Sequence, residues 1–261
     1  MTFPIVAVQD PVPSRRRIGA EITIVLLLSL ASSAVYAIVA IIYRSLQQPL
    51  SEQSTVINRP LSELEVFDFI YRVLSVFFDL VPVALVCYLL WSSARPHLGR
   101  LGLTFDRPVR DVGAGLALAL AVGIPGLAAY LGFLALGLNA SVVATQGDTH
   151  WWTIPVLLLV AARAAVTEEV IAIGYLYARL AELGWGRWRI ILSSAVLRGS
   201  YHLYQGYGAF IANVVMGIAF GWLYTRYGRL LPLVVTHFAI DAAVFVGYPW
   251  AAATFPALFG L

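Results

Sequence analysis

The chain has 261 residues, 60% hydrophobic and only 12% charged, with a formal charge of +3. Soluble domains carry about 25% charged residues, so this composition excludes one and points to a polytopic membrane protein. The small net charge gives no basis for nucleic-acid binding, and the single cysteine, Cys87, excludes an intrachain disulfide and argues against a thiol metal cluster.

Several apolar runs are long and continuous rather than alternating, so helices are the expected spanning element. The expected fold is an all-α polytopic membrane helix bundle of about seven transmembrane helices, eight if one is split. All 17 basic residues are arginine, a bias that suits a bacterial source. Residues 1–17 read as a polar tail ending in Arg15-Arg16-Arg17. The run Ile18 to Tyr43 is too long for a signal-peptide core and reads as the first span. Arg44 to Glu65 is a polar loop. The second span, Val66 to Trp91, carries Asp68 and Arg72, four apart and expected to pair, and Asp79 ahead of Pro82. The N-terminal spans thus occupy residues 18–97, where Cys87 reads as a small buried hydrophobe.

A basic loop with Arg95, Arg100, Arg107 and Arg110 leads into a glycine-rich third span, Val112 to Leu136. The fourth span opens at Trp151-Trp152, aromatics that suit an interface, and runs through Glu168 and Glu169 to Glu182. It is longer than a bilayer requires, so it should tilt or kink. The fifth span, Trp188 to Tyr204, holds Arg198 and His202; the sixth is Tyr207 to Tyr227; the seventh, Leu230 to Val246, holds His237 and Asp241. Residues 247–261 read as a short apolar tail. With a cytoplasmic N-terminus, alternation leaves only Arg44 and Arg59 in the outer loops, as the positive-inside rule requires of a multi-pass protein of the cytoplasmic membrane.

Ionisable side chains are costly in hydrocarbon and by default mark a site or pathway. Glu168-Glu169 is such a place; the bland alternative is pairing with Arg163 or Arg198 that merely ties helices together. Glu168 and His202 fall on the order of 20 Å from the cytoplasmic ends of their spans at ~1.5 Å per residue, with Asp241 slightly shallower. Arg198 and His202 share a helix face, as do His237 and Asp241. Glu168 and Glu169 point about 100° apart, so one should face the centre while the other bonds elsewhere. A carboxylate and two imidazoles around a cavity can activate water and hold an oxyanion. They can also bind a divalent metal, or relay protons in a transporter.

Glu168-Glu169, Gly174-Tyr175-Leu176, His202, Gly217 and Gly221, and His237 with Asp241 resemble, in order and spacing, the CPBP intramembrane proteases. That family includes the type II CAAX prenyl endopeptidases and the bacteriocin-processing, Abi-type proteins. The resemblance covers roughly residues 98–246, taking in the loop Leu98 to Arg107. It implies that Glu168 and His202 activate water, that Glu169 supports the site, and that His237 and Asp241 stabilise the oxyanion, with Asp241 alternatively orienting His237. It implies no metal or other cofactor; the metal alternative is zinc at Glu168, His202 and His237. The implied partners are the lipid bilayer and a peptide or membrane-protein substrate.

The family's first motif is Glu-Glu-x-x-x-Arg, and the arginine position is Ile173 here. The aromatic position of its second motif is Arg198. We therefore expect Arg198 to supply the missing guanidinium by pairing with Glu169. Two other readings stand beside the protease: an inactive family member acting as a membrane scaffold or immunity-type binding protein, favoured by Ile173, and a proton-coupled transporter. The transporter reading lacks the internal repeats common in that class, and no helix carries a His-Glu-x-x-His zinc motif.

Overall fold

Apolar runs punctuated by Ser, Pro and Gly give an all-α membrane bundle in the computed structural model, which describes residues 14–91, 97–144 and 150–254. Among the described residues, Leu30–Gln47, Glu65–Leu89, Pro108–Ala135, Tyr207–Tyr227 and Leu231–Ala251 are long and apolar enough to cross a membrane. Most of the N-terminal tail (1–13), Arg95 and residues 255–261 lie outside the described residues.

Three expectations about the first two spans change. Arg15–Arg17 belong to the first turn of α1 (Arg15–Leu27), not to a tail; the Ser14 side chain caps it by accepting from the Arg17 amide at 3.3 Å. The single first span is broken, because Ser29 leaves helical geometry before α2 (Leu30–Gln47) begins. Its hydroxyl donates to the Val25 carbonyl at 2.6 Å, the kind of local bond that competes with a helix ladder. The second span divides at Leu80 into α3 (Glu65–Asp79) and α4 (Val81–Leu89), since Pro82 has no N–H to continue the ladder. The Asp68–Arg72 pair is present at 2.7 Å, and Asp79 lies 3.4 Å from Arg163. Cys87 is only half-buried at the margin of the core.

After the short α5 (His97–Arg100) come α6 (Pro108–Ala135), α7 (Thr153–Glu168) and α8 (Leu176–Glu182). Between α7 and α8 the chain stays helical but widens into π-type turns over Glu169–Tyr175. Then follow α9 (Arg187–His202), α10 (Tyr207–Tyr227), α11 (Leu231–Ala242) and α12 (Tyr248–Thr254), the last two joined by a second wide turn at Ala243–Gly247. The expected C-terminal tail is thus helical as far as Thr254.

The core is built around the wide turn. Every residue from Glu169 to Tyr177 is buried, and Ile18, Val25, Val86, Leu101, Ile191, Phe220 and Leu233 belong to the same cluster. With no residue facing outward on any side, the segment sits at the centre of the bundle. Around it α9 and α10 pack closest. A Cβ on Gly199 would come within 2.6 Å of the Val214 side chain and 2.8 Å of the Phe210 carbonyl.

Each end of the bundle is stitched. At one end, the loop after α2 forms β1 (Ser54–Ile57), which pairs in parallel with β2 (Ser141–Ala144) ahead of α7. Arg44 donates to the Ser54 and Tyr204 carbonyls, both at 3.0 Å, so it ties β1 to the turn that follows His202. At the other end, buried Arg179 joins Glu21 (2.7 Å), Glu182 (2.8 Å) and the Leu89 carbonyl (2.9 Å), linking α1, α4 and α8. Nearby, Arg229 bonds Asp111 and Asp106, and the Thr104 hydroxyl also donates to Asp106.

Thr104, Asp106, Arg229 and Asp111 together form a polar latch between the loop ahead of α6 and the start of α11. Gly199→Ala should destabilise the protein by about 1–3 kcal/mol through overpacking, read as a lower unfolding midpoint in detergent. Bonds from Thr104 and Arg229 hold the exposed Asp106 carboxyl down to about 2, from an ordinary 3.8. A depressed folded value means the latch contributes fully above pH 3.8 and is lost as pH falls through about 2. Asp106→Asn should flatten that acid limb in unfolding curves.

Candidate active site

The wide turn decides how the two glutamates are presented. An α ladder ends at Glu168, the last residue of α7, and i→i+5 bonding begins with Glu169. The Ala172 carbonyl within the turn accepts the Ser194 hydroxyl of α9 at 2.7 Å. Such π-type insertions are rare and concentrate at functional sites.

Glu169 is fully buried. Its Oε1 accepts from the Arg198 guanidinium at 2.6 Å and lies 2.7 Å from His237 Nδ1. Arg198 is 1% exposed and places its guanidinium 5.4 Å from the Phe220 ring centroid. The expected Arg198–Glu169 pairing is therefore present. Ile173, at the motif's arginine position, is buried in the apolar core instead. Arg163, weighed as another partner for the glutamates, pairs with Asp79 of α3.

Glu168 behaves differently. Its side chain is 14% exposed, and its Oε2 accepts the Tyr201 hydroxyl at 2.6 Å. The same oxygen lies 4.0 Å from His202 Nε2, 3.9 Å from His237 Nε2 and 3.9 Å from Arg198. Among the described residues neither ring nitrogen of His202 has a hydrogen-bond partner. Asp241 reaches His237 Nε2 only at 3.5 Å, so the closer Glu169 contact on Nδ1 fixes the ring. Glu168 is thus partly exposed, while Glu169 is fully buried and bonded within the same cluster, to Arg198 and His237.

The structure thus gathers Glu168, Glu169, Arg198, His202, His237 and Asp241, from α7, the wide turn, α9 and α11, into one cluster. It adds Tyr201, which sequence reasoning passed over; its position beside His202 was the only local signal. Among the described residues no group of three or more His, Cys, Asp or Glu side chains is arranged to hold a metal ion.

Residues 150–243 match the family model of the Rce1-like type II CAAX prenyl endopeptidases, the family that the sequence resembles. The match contains every side chain of the cluster, while residues 98–149, including the loop from Leu98 to Arg107, lie outside it. No curated protein and no solved structure matches the chain.

Removing the cation from a buried pair leaves an uncompensated charge. Arg198→Gln should therefore cost about 3–5 kcal/mol of stability. Arg198→Lys, which keeps the charge but loses the planar fork, should cost less. Unfolding midpoints of the two variants in one detergent check the order.

Proposed function

We propose that this protein is an intramembrane endopeptidase that hydrolyses a peptide bond of a membrane-associated peptide or protein. The observation that carries the reading is the asymmetry of the glutamates: a locked Glu169 beside a partly exposed Glu168 that lies 4.0 Å from an imidazole whose nitrogens have no hydrogen-bond partner among the described residues. The Rce1-like segment supports the same activity.

In this scheme a water touches both Glu168 and His202. Glu168 takes its proton as general base, and the water oxygen bonds to the scissile carbonyl carbon. The carbonyl electrons move to oxygen, and the N–H at His237 Nε2 donates a hydrogen bond to that oxyanion while keeping its proton. Nδ1 of the same ring shares a proton with Glu169, so donation from Nε2 requires His237 as a cation, held between Glu169 and Asp241. On collapse the C=O bond re-forms, the C–N bond breaks, and the leaving amine takes the proton that Glu168 had accepted from the water, directly or relayed through His202. Arg198 acts through Glu169, and Tyr201 fixes the Glu168 rotamer; neither reaches the substrate. The scheme routes no step through a metal.

The test is cleavage of reporter peptides by purified protein in bilayer nanodiscs. Wild type should hydrolyse a subset of the peptides, and Glu168→Gln should lower kcat/KM by at least about a hundredfold at equal folding. EDTA should change nothing. Activity lost to EDTA and restored by zinc would replace the scheme with a metal-dependent one, and a wild type inert on every peptide would favour the scaffold reading.

A further inference from the structure

A second group of charges lies apart from the glutamate cluster. A cavity of about 310 Å³ opens between residues 56–61, α3 and α7, and Arg59, Arg72 and Arg163 line it. Arg163 precedes Glu168 by five residues, which turns it about 140° round the helix axis from that carboxylate. Thr167, one turn after Arg163, contacts the Asp79 carbonyl of α3 at 3.5 Å. The cavity therefore belongs to the α3 side of α7, and the cluster to the α9 and α11 side.

The charges in the cavity do not balance. Arg72 is committed: its Nε donates to Asp68 at 2.7 Å, and another nitrogen donates to the Asn58 and Arg59 carbonyls at 2.9 and 3.0 Å. Those bonds fold the loop over the cavity through Asn58, whose φ of 55° is left-handed. Arg163 has Asp79 at 3.4 Å, but that oxygen also accepts from Ser75 at 3.2 Å, and Arg163 Nε is buried with no hydrogen bond among the described residues. Arg59 pairs with no carboxylate among the described residues. Three guanidinium groups thus face two carboxylates, and the positive charge left over is that of Arg59, on the exposed loop at the mouth of the cavity.

We propose that this cavity binds the phosphate group of an anionic phospholipid. Its volume falls in the range of small-ligand sites. Guanidinium forks match phosphate oxygens in geometry and charge. The rest of the surroundings are those of a lipid. Val56, Leu61 and Val160 line the cavity beside the arginines. Alpha-helix α3 has no buried residue and exposes Phe67, Ile70, Tyr71 and Leu74, an apolar face along which acyl chains lie. Free inorganic phosphate would satisfy the arginines and leave that face uncovered.

The experiment needs no protease substrate. The delipidated full chain in neutral detergent is titrated with dioctanoyl phosphatidylglycerol or with inorganic phosphate, and the unfolding midpoint is followed. Phosphatidylglycerol should raise the midpoint saturably. Arg59→Gln, an exposed loop change that leaves the helices intact, should weaken the apparent affinity about tenfold, as should Arg163→Gln. Arg226→Gln, the same charge change on α10 outside the cavity, should respond as wild type. The proposal is overturned by an absent or non-saturable shift, or by an Arg59→Gln response equal to wild type. A shift reproduced by inorganic phosphate alone overturns the lipid assignment.

Discussion

The structure depends on how one buried carboxylate is paired. Glu169 has no exposure, and a lone carboxylate in such surroundings would carry a large desolvation cost. Its Oε1 meets Arg198 from α9 and His237 from α11. A single oxygen therefore joins the wide turn to two helices, and each tie places a further residue. Arg198 sets the face of α9 that carries His202, one turn on. His237 sets the face of α11 that carries Asp241, also one turn on. Loss of Glu169 or Arg198 would remove the reason for these elements to meet where they do.

The stitched ends hold that meeting point in place. Arg44 binds β1 to the turn directly after His202, and Arg179 binds α1 and α4 to α8 directly after the wide turn. Tyr175, inside the turn, donates to Glu21 at 2.9 Å. The centre of the bundle is thereby fixed by polar bonds from both directions, while α3 turns its side chains outward and α6 buries only Asp111 and Gly115. This division suits a rigid site on central helices wrapped by helices that face lipid.

Features that follow from charge scarcity and helical spacing were legible in the sequence. Asp68 and Arg72 are four apart on one helix, and Arg198 was a rare cation for a pair of glutamates that lacked their motif arginine. The clustering of Glu168, His202 and His237 was legible through motif order. Features that depend on contacts distant in sequence were not. The wide turn answers to Ser194 on another helix, β1 pairs with a strand from a separate loop, and Asp79 claims Arg163 across two helices. Tyr201 is one of 13 tyrosines, and only the fold singles it out as the donor to Glu168. The break at Ser29 was hidden because one side-chain bond interrupts an otherwise continuous apolar run.

The central claim is that Glu168 hydrolyses peptide bonds. The most direct measurement compares new protein N-termini, by mass spectrometry, in cells that make wild type or Glu168→Gln at equal membrane levels. The account predicts a set of termini present with wild type and missing with Glu168→Gln, derived from membrane-associated proteins or peptides. Identical termini in the two strains, in cells that normally make the protein, would contradict it.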